Sequence, residues 1–114
     1  MKLYETLQEI FGRNRTTKEK SIGYEDAKGI LKNNTQAILL DVRSEQEYRE
    51  NHLDGSINYP LYDLQRNSKS LIWNKHNTII IYCQSGSRSK KAMKILEQEG
   101  YKNVYEIKGG LDEI

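Results

Sequence analysis

The stretch Thr78-Ile79-Ile80-Ile81-Tyr82 runs straight into Cys83-Gln84-Ser85-Gly86-Ser87-Arg88-Ser89, and no other segment limits the fold as tightly. The first part is β-branched and aromatic and too short for a helix, which suits a strand covered on both faces. The second part is small and polar with one glycine, and a helical pattern follows over residues 87–99. Ala92, Met93 and Leu96 mark one side of that helix, Lys90, Lys91, Lys94, Glu97 and Gln98 the other, with Ile95 at the edge. Gly100 is placed to end it. A strand that passes through a tight loop into a helix is half of a βαβ unit, so a parallel sheet with helical cover is expected.

The rest of the chain agrees with this. Tyr24, Ala27, Ile30 and Leu31 form a helical stripe closed by Asn33-Asn34, and Ala37-Ile38-Leu39-Leu40 is a continuous apolar run ending at Asp41. Ser44 followed by Glu47 has the spacing of a capping box, which starts a helix running to about Asn51. Ser56-Ile57-Asn58-Tyr59 reads as a short strand stopped by Pro60, residues 61–74 as short helical turns, and Val104-Tyr105-Glu106-Ile107 as a last strand ended by Gly109-Gly110. The order is strand, helix, strand, helix, strand, irregular turns, strand, helix, strand. It predicts an α/β sandwich around a mainly parallel sheet.

With 114 residues, one domain is the natural count. Residues 19–114 are assigned to it and 1–18 to an extension, where Leu3, Leu7, Ile10 and Phe11 predict an amphipathic helix lying against the domain. Partner binding or a dimer contact is the other use of such a helix. A net charge of +2 with both signs interspersed gives no argument for nucleic acid. The N-terminal residues lack the unbroken apolar core of a secretory signal, and no run reaches membrane-spanning length. The single cysteine excludes a disulfide within the chain and fits a reducing compartment. A cytoplasmic protein, monomeric or weakly dimeric, is the expectation.

The loop after Cys83 has a chemical reading of its own. A helix start presents unpaired N–H groups and a partial positive charge, and a loop of small residues can turn those groups toward one point. Gly86 permits the necessary backbone angles and Arg88 adds a permanent positive charge. Such a cradle favours a thiolate over a thiol, and the thiolate is the nucleophile. Two chemistries could use it: sulfur transfer, or attack on a phosphate or arsenate. Cysteine-dependent phosphatases resemble one another in a loop one residue longer between Cys and Arg, and here that position holds Ser89. The tighter ring suits one outer sulfur atom and puts sulfur transfer first.

At this point the chain resembles the rhodanese homology family. Asp41-Val42-Arg43, Glu47-Tyr48, His52-Leu53-Asp54-Gly55-Ser56-Ile57-Asn58 and Pro60 are similar to its first signature. Tyr82 to Ser89 resembles its active-site loop, and Gly100 to Val104 with Gly109-Gly110 its closing signature. The resemblance covers about residues 20–114. It departs from the family at the end, where Ile114 stands near the place of a typical Trp; the final helix of longer members is expected to be missing or replaced by the N-terminal segment. The resemblance implies a parallel sheet of about five strands with helices on both faces. It implies Cys83 as the sulfur-accepting nucleophile and residues Gln84, Ser85, Gly86, Ser87 and Arg88 as the persulfide-binding loop. Asp41 and Arg43 support the site, Glu47 caps a helix, and His52 orders the turn before Gly55. Neither His52 nor His76 has a second His or Cys at ligand spacing, so no metal or other cofactor is expected. The expected donor is a small sulfur compound such as thiosulfate. With no second cysteine, the acceptor must be external: a small thiol, cyanide, or a cysteine of a partner protein. A non-turnover carrier or docking module is the alternative.

Overall fold

The computed structural model describes residues 20–114. The helix expected over 1–18 lies outside the described residues. Five strands are present: β1 Ser21–Ile22, β2 Ile38–Asp41, β3 Ile57–Asn58, β4 Thr78–Tyr82 and β5 Asn103–Ile107. Between them run helices α1 Tyr24–Asn33, α2 Glu45–Glu50, α3 Leu61–Asn67 and α4 Ser87–Gln98, with 3-10 turns at Ser68–Ser70 and Gly110–Glu113. The strands form one sheet in the order β1-β5-β4-β2-β3, and every neighbouring pair is parallel.

The alternation of side chains along β4 explains its unbroken apolar run. Ile79, Ile81 and Cys83 pack on one face with Leu40, Val42, Leu64, Ala92, Met93 and Leu96, beneath α3 and α4. Ile80 and Tyr82 point the other way, toward Ala27, Leu39 and Ile107 beneath α1. A strand buried on both faces needs apolar residues at every position. Each fully buried isoleucine contributes roughly 1.5–3 kcal/mol of burial free energy.

The start of α2 and the end of α4 follow from sequence. The Ser44 hydroxyl accepts from the Glu47 N–H while the Glu47 carboxylate accepts from the Ser44 N–H, closing the expected capping box. At the end of α4, Tyr101 N–H donates to the Leu96 carbonyl at 3.1 Å and Gly100 N–H to the Glu97 carbonyl at 3.0 Å. These are the two bonds of a Schellman motif, and Gly100 supplies its left-handed residue at φ 97°. In the segment 61–74 the turns are more regular than the sequence suggests. Pro60 leads into a seven-residue helix, of which only Leu64 is buried, so no long apolar stripe announces it.

The topology fixes where a ligand can bind. From β2 the chain leaves through α2 toward β3; from β4 it leaves through α4 toward β5. Strands β2 and β4 are neighbours, so their outgoing loops part in opposite directions. That divergence opens a crevice at the carboxyl ends of the strands, the usual ligand position in open α/β sheets. Asp41-Val42-Arg43 and Cys83-Gln84-Ser85-Gly86 are the two loops that flank it.

Candidate active site

Cys83 is fully buried one residue beyond β4, its sulfur on the α4 side of the sheet. Two backbone donors reach it: Gly86 N–H at 3.1 Å and Ser89 N–H at 3.3 Å. Gly86 adopts φ 105°, a left-handed conformation that lets the loop fold back over the sulfur. The N–H groups of Ser87 and Arg88, at the start of α4, have no protein acceptor among the described residues. They are the unpaired donors any helix start leaves. The loop thus forms a partial ring of donors, two of which converge on the sulfur.

A second layer holds this ring from below. Leu111 N–H donates to the Cys83 carbonyl at 3.0 Å and Asp112 N–H to the Gln84 carbonyl at 2.9 Å. The Gln84 amide in turn donates to Asp112 Oδ1 at 2.8 Å. The C-terminal 3-10 turn therefore clamps the loop. Gly110 makes the approach possible: a Cβ there would lie 2.7 Å from the Gln84 carbonyl oxygen and nearer still to that of Cys83.

Arg88, expected to add its charge to the loop, also has a carboxylate partner. Its guanidinium forms two bonds to the Glu47 carboxylate, at 2.7 and 3.0 Å. Its charge is shared with that partner, and the bridge joins α2 to α4 across the crevice. The Arg88 guanidinium, against the opposing pull of burial, lowers the pKa of Glu47 from 4.5 to about 2. A depressed carboxylate stabilises the fold above its ordinary pKa and loses that contribution as pH falls through its folded value. The melting-temperature difference between wild type and Glu47→Gln is therefore expected to be full near neutrality and to vanish between pH 4.5 and about 2. Glutamine can still cap α2, so the variant isolates the charge. Thermal melts across that range check it; a difference independent of pH would rule the bridge out.

Asp41 and Arg43 form a buried pair, with Arg43 Nη2 at 2.9 Å from Asp41 Oδ2. Burial pulls the Arg43 pKa down, but the hydrogen bond and charge of Asp41 outweigh it and the net shift is upward. Arg43 also donates to the Asn51 carbonyl at 2.6 Å and, more weakly, to Gln84 Oε1 at 3.4 Å. These bonds tie the end of β2 to α2 and to the Cys83 loop. His52 donates from Nδ1 to the Tyr48 carbonyl at 2.7 Å and stacks on the Tyr48 ring, which holds it against the end of α2. Ser85 and Ser87 are exposed at the rim. A shallow recess of about 260 Å³, lined by Asn51, His52, Leu53, Gln84, Leu111 and Ile114, opens beside the loop. A larger one of about 410 Å³, under α1, contains no loop residue.

Sequence reasoning missed two partners. Glu106 on β5 is fully buried and accepts from the Ser89 hydroxyl at 2.8 Å. Its position in an apolar strand motif was the available signal. The role of Glu47 as the partner of Arg88 had no local signal, because the two are brought together only by the crevice.

The comparisons with known proteins fit this geometry. The sequence profile of the rhodanese-like domain matches residues 24–114. The chain is 36% identical over 75 residues to the thiosulfate sulfurtransferase PspE of Escherichia coli, a match covering 66% of this chain and 71% of that protein. It is 34% identical over 90 residues to the tRNA uridine(34) hydroxylase of Buchnera aphidicola, covering 75% of this chain but only 28% of that protein. Among solved structures it resembles the rhodanese-like domain of the Anabaena Alr3790 protein, with a TM-score of 0.71, 30% identity, and 83% and 72% of the two chains covered. The parallel five-stranded sheet, the cysteine loop at its crevice and the match over nearly all described residues lead to one conclusion: this chain belongs to the rhodanese-like domain family.

Proposed function

We propose that the chain is a sulfurtransferase that carries sulfur as a persulfide on Cys83. The observation that carries this reading is the pair of backbone N–H groups, from Gly86 and Ser89, converging on the only cysteine sulfur in the chain. The likeness to a thiosulfate sulfurtransferase supports it.

In the first step the Cys83 thiolate attacks the outer sulfur of thiosulfate. The new Sγ–S bond forms as the S–S bond of thiosulfate breaks, and sulfite leaves with the electron pair. The outer sulfur keeps the negative charge it carried in thiosulfate while the thiolate's charge leaves with sulfite, so the persulfide anion is left at the loop of residues 84–88. In the second step an external nucleophile takes that sulfur, and Cys83 returns as thiolate. Small thiols, cyanide or a cysteine of a partner protein all have the required affinity for sulfur. A reducing compartment such as the cytoplasm would keep the lone cysteine available.

The test is to incubate the reduced protein with thiosulfate, remove the excess and measure the intact mass. A gain of one sulfur atom, reversed by cyanide, is expected. Loading that neither cyanide nor small thiols reverse would mark a carrier for a protein acceptor. No gain, together with hydrolysis of an aryl phosphate, would replace the reading with phosphate chemistry.

A further inference from the structure

Three polar groups surround the Ser89 hydroxyl. Its Oγ lies 2.8 Å from Glu106 Oε1, 3.0 Å from the Gly86 carbonyl and 3.6 Å from Cys83 Sγ. A hydroxyl has one hydrogen to donate and two lone pairs to offer. The shortest contact is to a carboxylate oxygen, a stronger acceptor than the Gly86 carbonyl. Ser89 therefore donates to Glu106, and its lone pairs are left to face the sulfur. Glu106 is itself fixed in place. It is fully buried on β5, and its Oε2 receives the Ser21 hydroxyl and, at 3.2 Å, the Lys90 ammonium.

We propose that Glu106 is a positioning residue for Cys83: by holding the Ser89 proton it presents the sulfur with an acceptor where a third donor would otherwise stand. Sγ is then favoured in its neutral states. One is the thiol, which donates its S–H to Ser89. The other is the inner sulfur of the persulfide, whose negative charge lies one atom further out. A thiolate that is not over-stabilised also remains the stronger nucleophile. The two backbone N–H groups and the Ser89–Glu106 pair thus pull in opposite directions, and their balance sets how readily the thiolate forms.

The inference rests on Cys83 as the nucleophile of the proposed reaction, but its test does not need sulfur transfer. The rate of Cys83 alkylation by iodoacetamide would be measured against pH on the full chain, for wild type, Glu106→Gln, Ser89→Ala and the double variant. Other charged groups around the loop are already paired: Arg88 with Glu47, Asp41 with Arg43, and Asp112 with the Gln84 amide. None is altered by these changes, and Lys90, more than half exposed, stays hydrated when Glu106 is replaced. Ser89→Ala is expected to move the profile to lower pH by about one unit, because an element that opposes the thiolate is gone; Glu106→Gln is expected to move it the same way but less, because the amide oxygen still accepts the Ser89 proton, more weakly than a carboxylate. The double variant is expected to move it no further than Ser89→Ala alone.

The sign of the Ser89→Ala effect is decisive even if Glu106→Gln does not fold. A serine that donated to the thiolate would, when removed, shift the profile to higher pH. That result, or no shift, overturns the proposal. So does a Glu106→Gln shift of the same size with and without the Ser89 hydroxyl, which would mean a direct charge effect. Failure of the wild type to load sulfur from thiosulfate would remove the proposed reaction and leave this measurement intact.

Discussion

Replacing Cys83 by alanine or by serine is expected to abolish sulfur loading, with no mass gain from thiosulfate in either variant. Neither side chain can form a persulfide, and the chain has no other cysteine to substitute for it. The two variants should differ in stability. In wild type the sulfur accepts from the buried N–H groups of Gly86 and Ser89. Alanine leaves both donors without a partner, and each buried orphan costs about 1–3 kcal/mol. Serine restores an acceptor in nearly the same place. Urea unfolding should therefore rank wild type and Cys83→Ser close together, with Cys83→Ala lower by about 2 kcal/mol or more. Loading that persists in either variant would sink the persulfide assignment. Equal stability of the two variants would show that the sulfur does not hold the loop.

Much of this site was legible in the sequence because it is local. The run Thr78–Tyr82 could only be a strand covered on both faces, which placed Cys83 at its carboxyl end. The Ser44–Glu47 spacing gave the start of α2, and Gly100 the end of α4, since both depend on bonds between near neighbours. What escaped is what the parallel sheet brings together from afar. Ser89 and Glu106 stand 17 residues apart, and their bond depends on how β5 lies beside β4. Glu47 and Arg88 stand 41 apart and meet across the crevice. Read alone, Arg88 is a positive charge beside the loop; the structure adds a carboxylate partner that only the fold supplies. Gly109-Gly110 was visible as a pair, but its work on the Cys83 loop appears only once the C-terminal turn is seen beneath the carbonyls it binds.

That turn leads to the second large effect. Gly110→Ala is expected to lower stability by about 2–5 kcal/mol, combining the left-handed strain of a non-glycine residue with overpacking against the backbone. The φ of 62° accounts for the first part. For the second, the new Cβ would meet the Gln84 carbonyl carbon at 2.8 Å and its oxygen at 2.7 Å, and these are backbone atoms that cannot swing away. Relief requires the loop to lift from the turn. The bonds from Leu111 and Asp112 to the carbonyls of Cys83 and Gln84 would then lengthen, and the N–H groups of Gly86 and Ser89 would lose their aim at the sulfur. Sulfur loading should fall by about a hundredfold or more, as misplacement by an ångström does elsewhere. Gly55→Ala is the matched control. Its φ is 82°, so the backbone strain is similar, but a Cβ there meets nothing within 4 Å. That variant should lose only about 1–2 kcal/mol and load sulfur at the wild-type rate. Urea midpoints and loading rates for the two variants separate strain from contact. If Gly110→Ala behaves like Gly55→Ala in both, the C-terminal turn does not position the loop; if it alone loses loading, the geometry of the donors around Cys83 is set from beneath by Gly110.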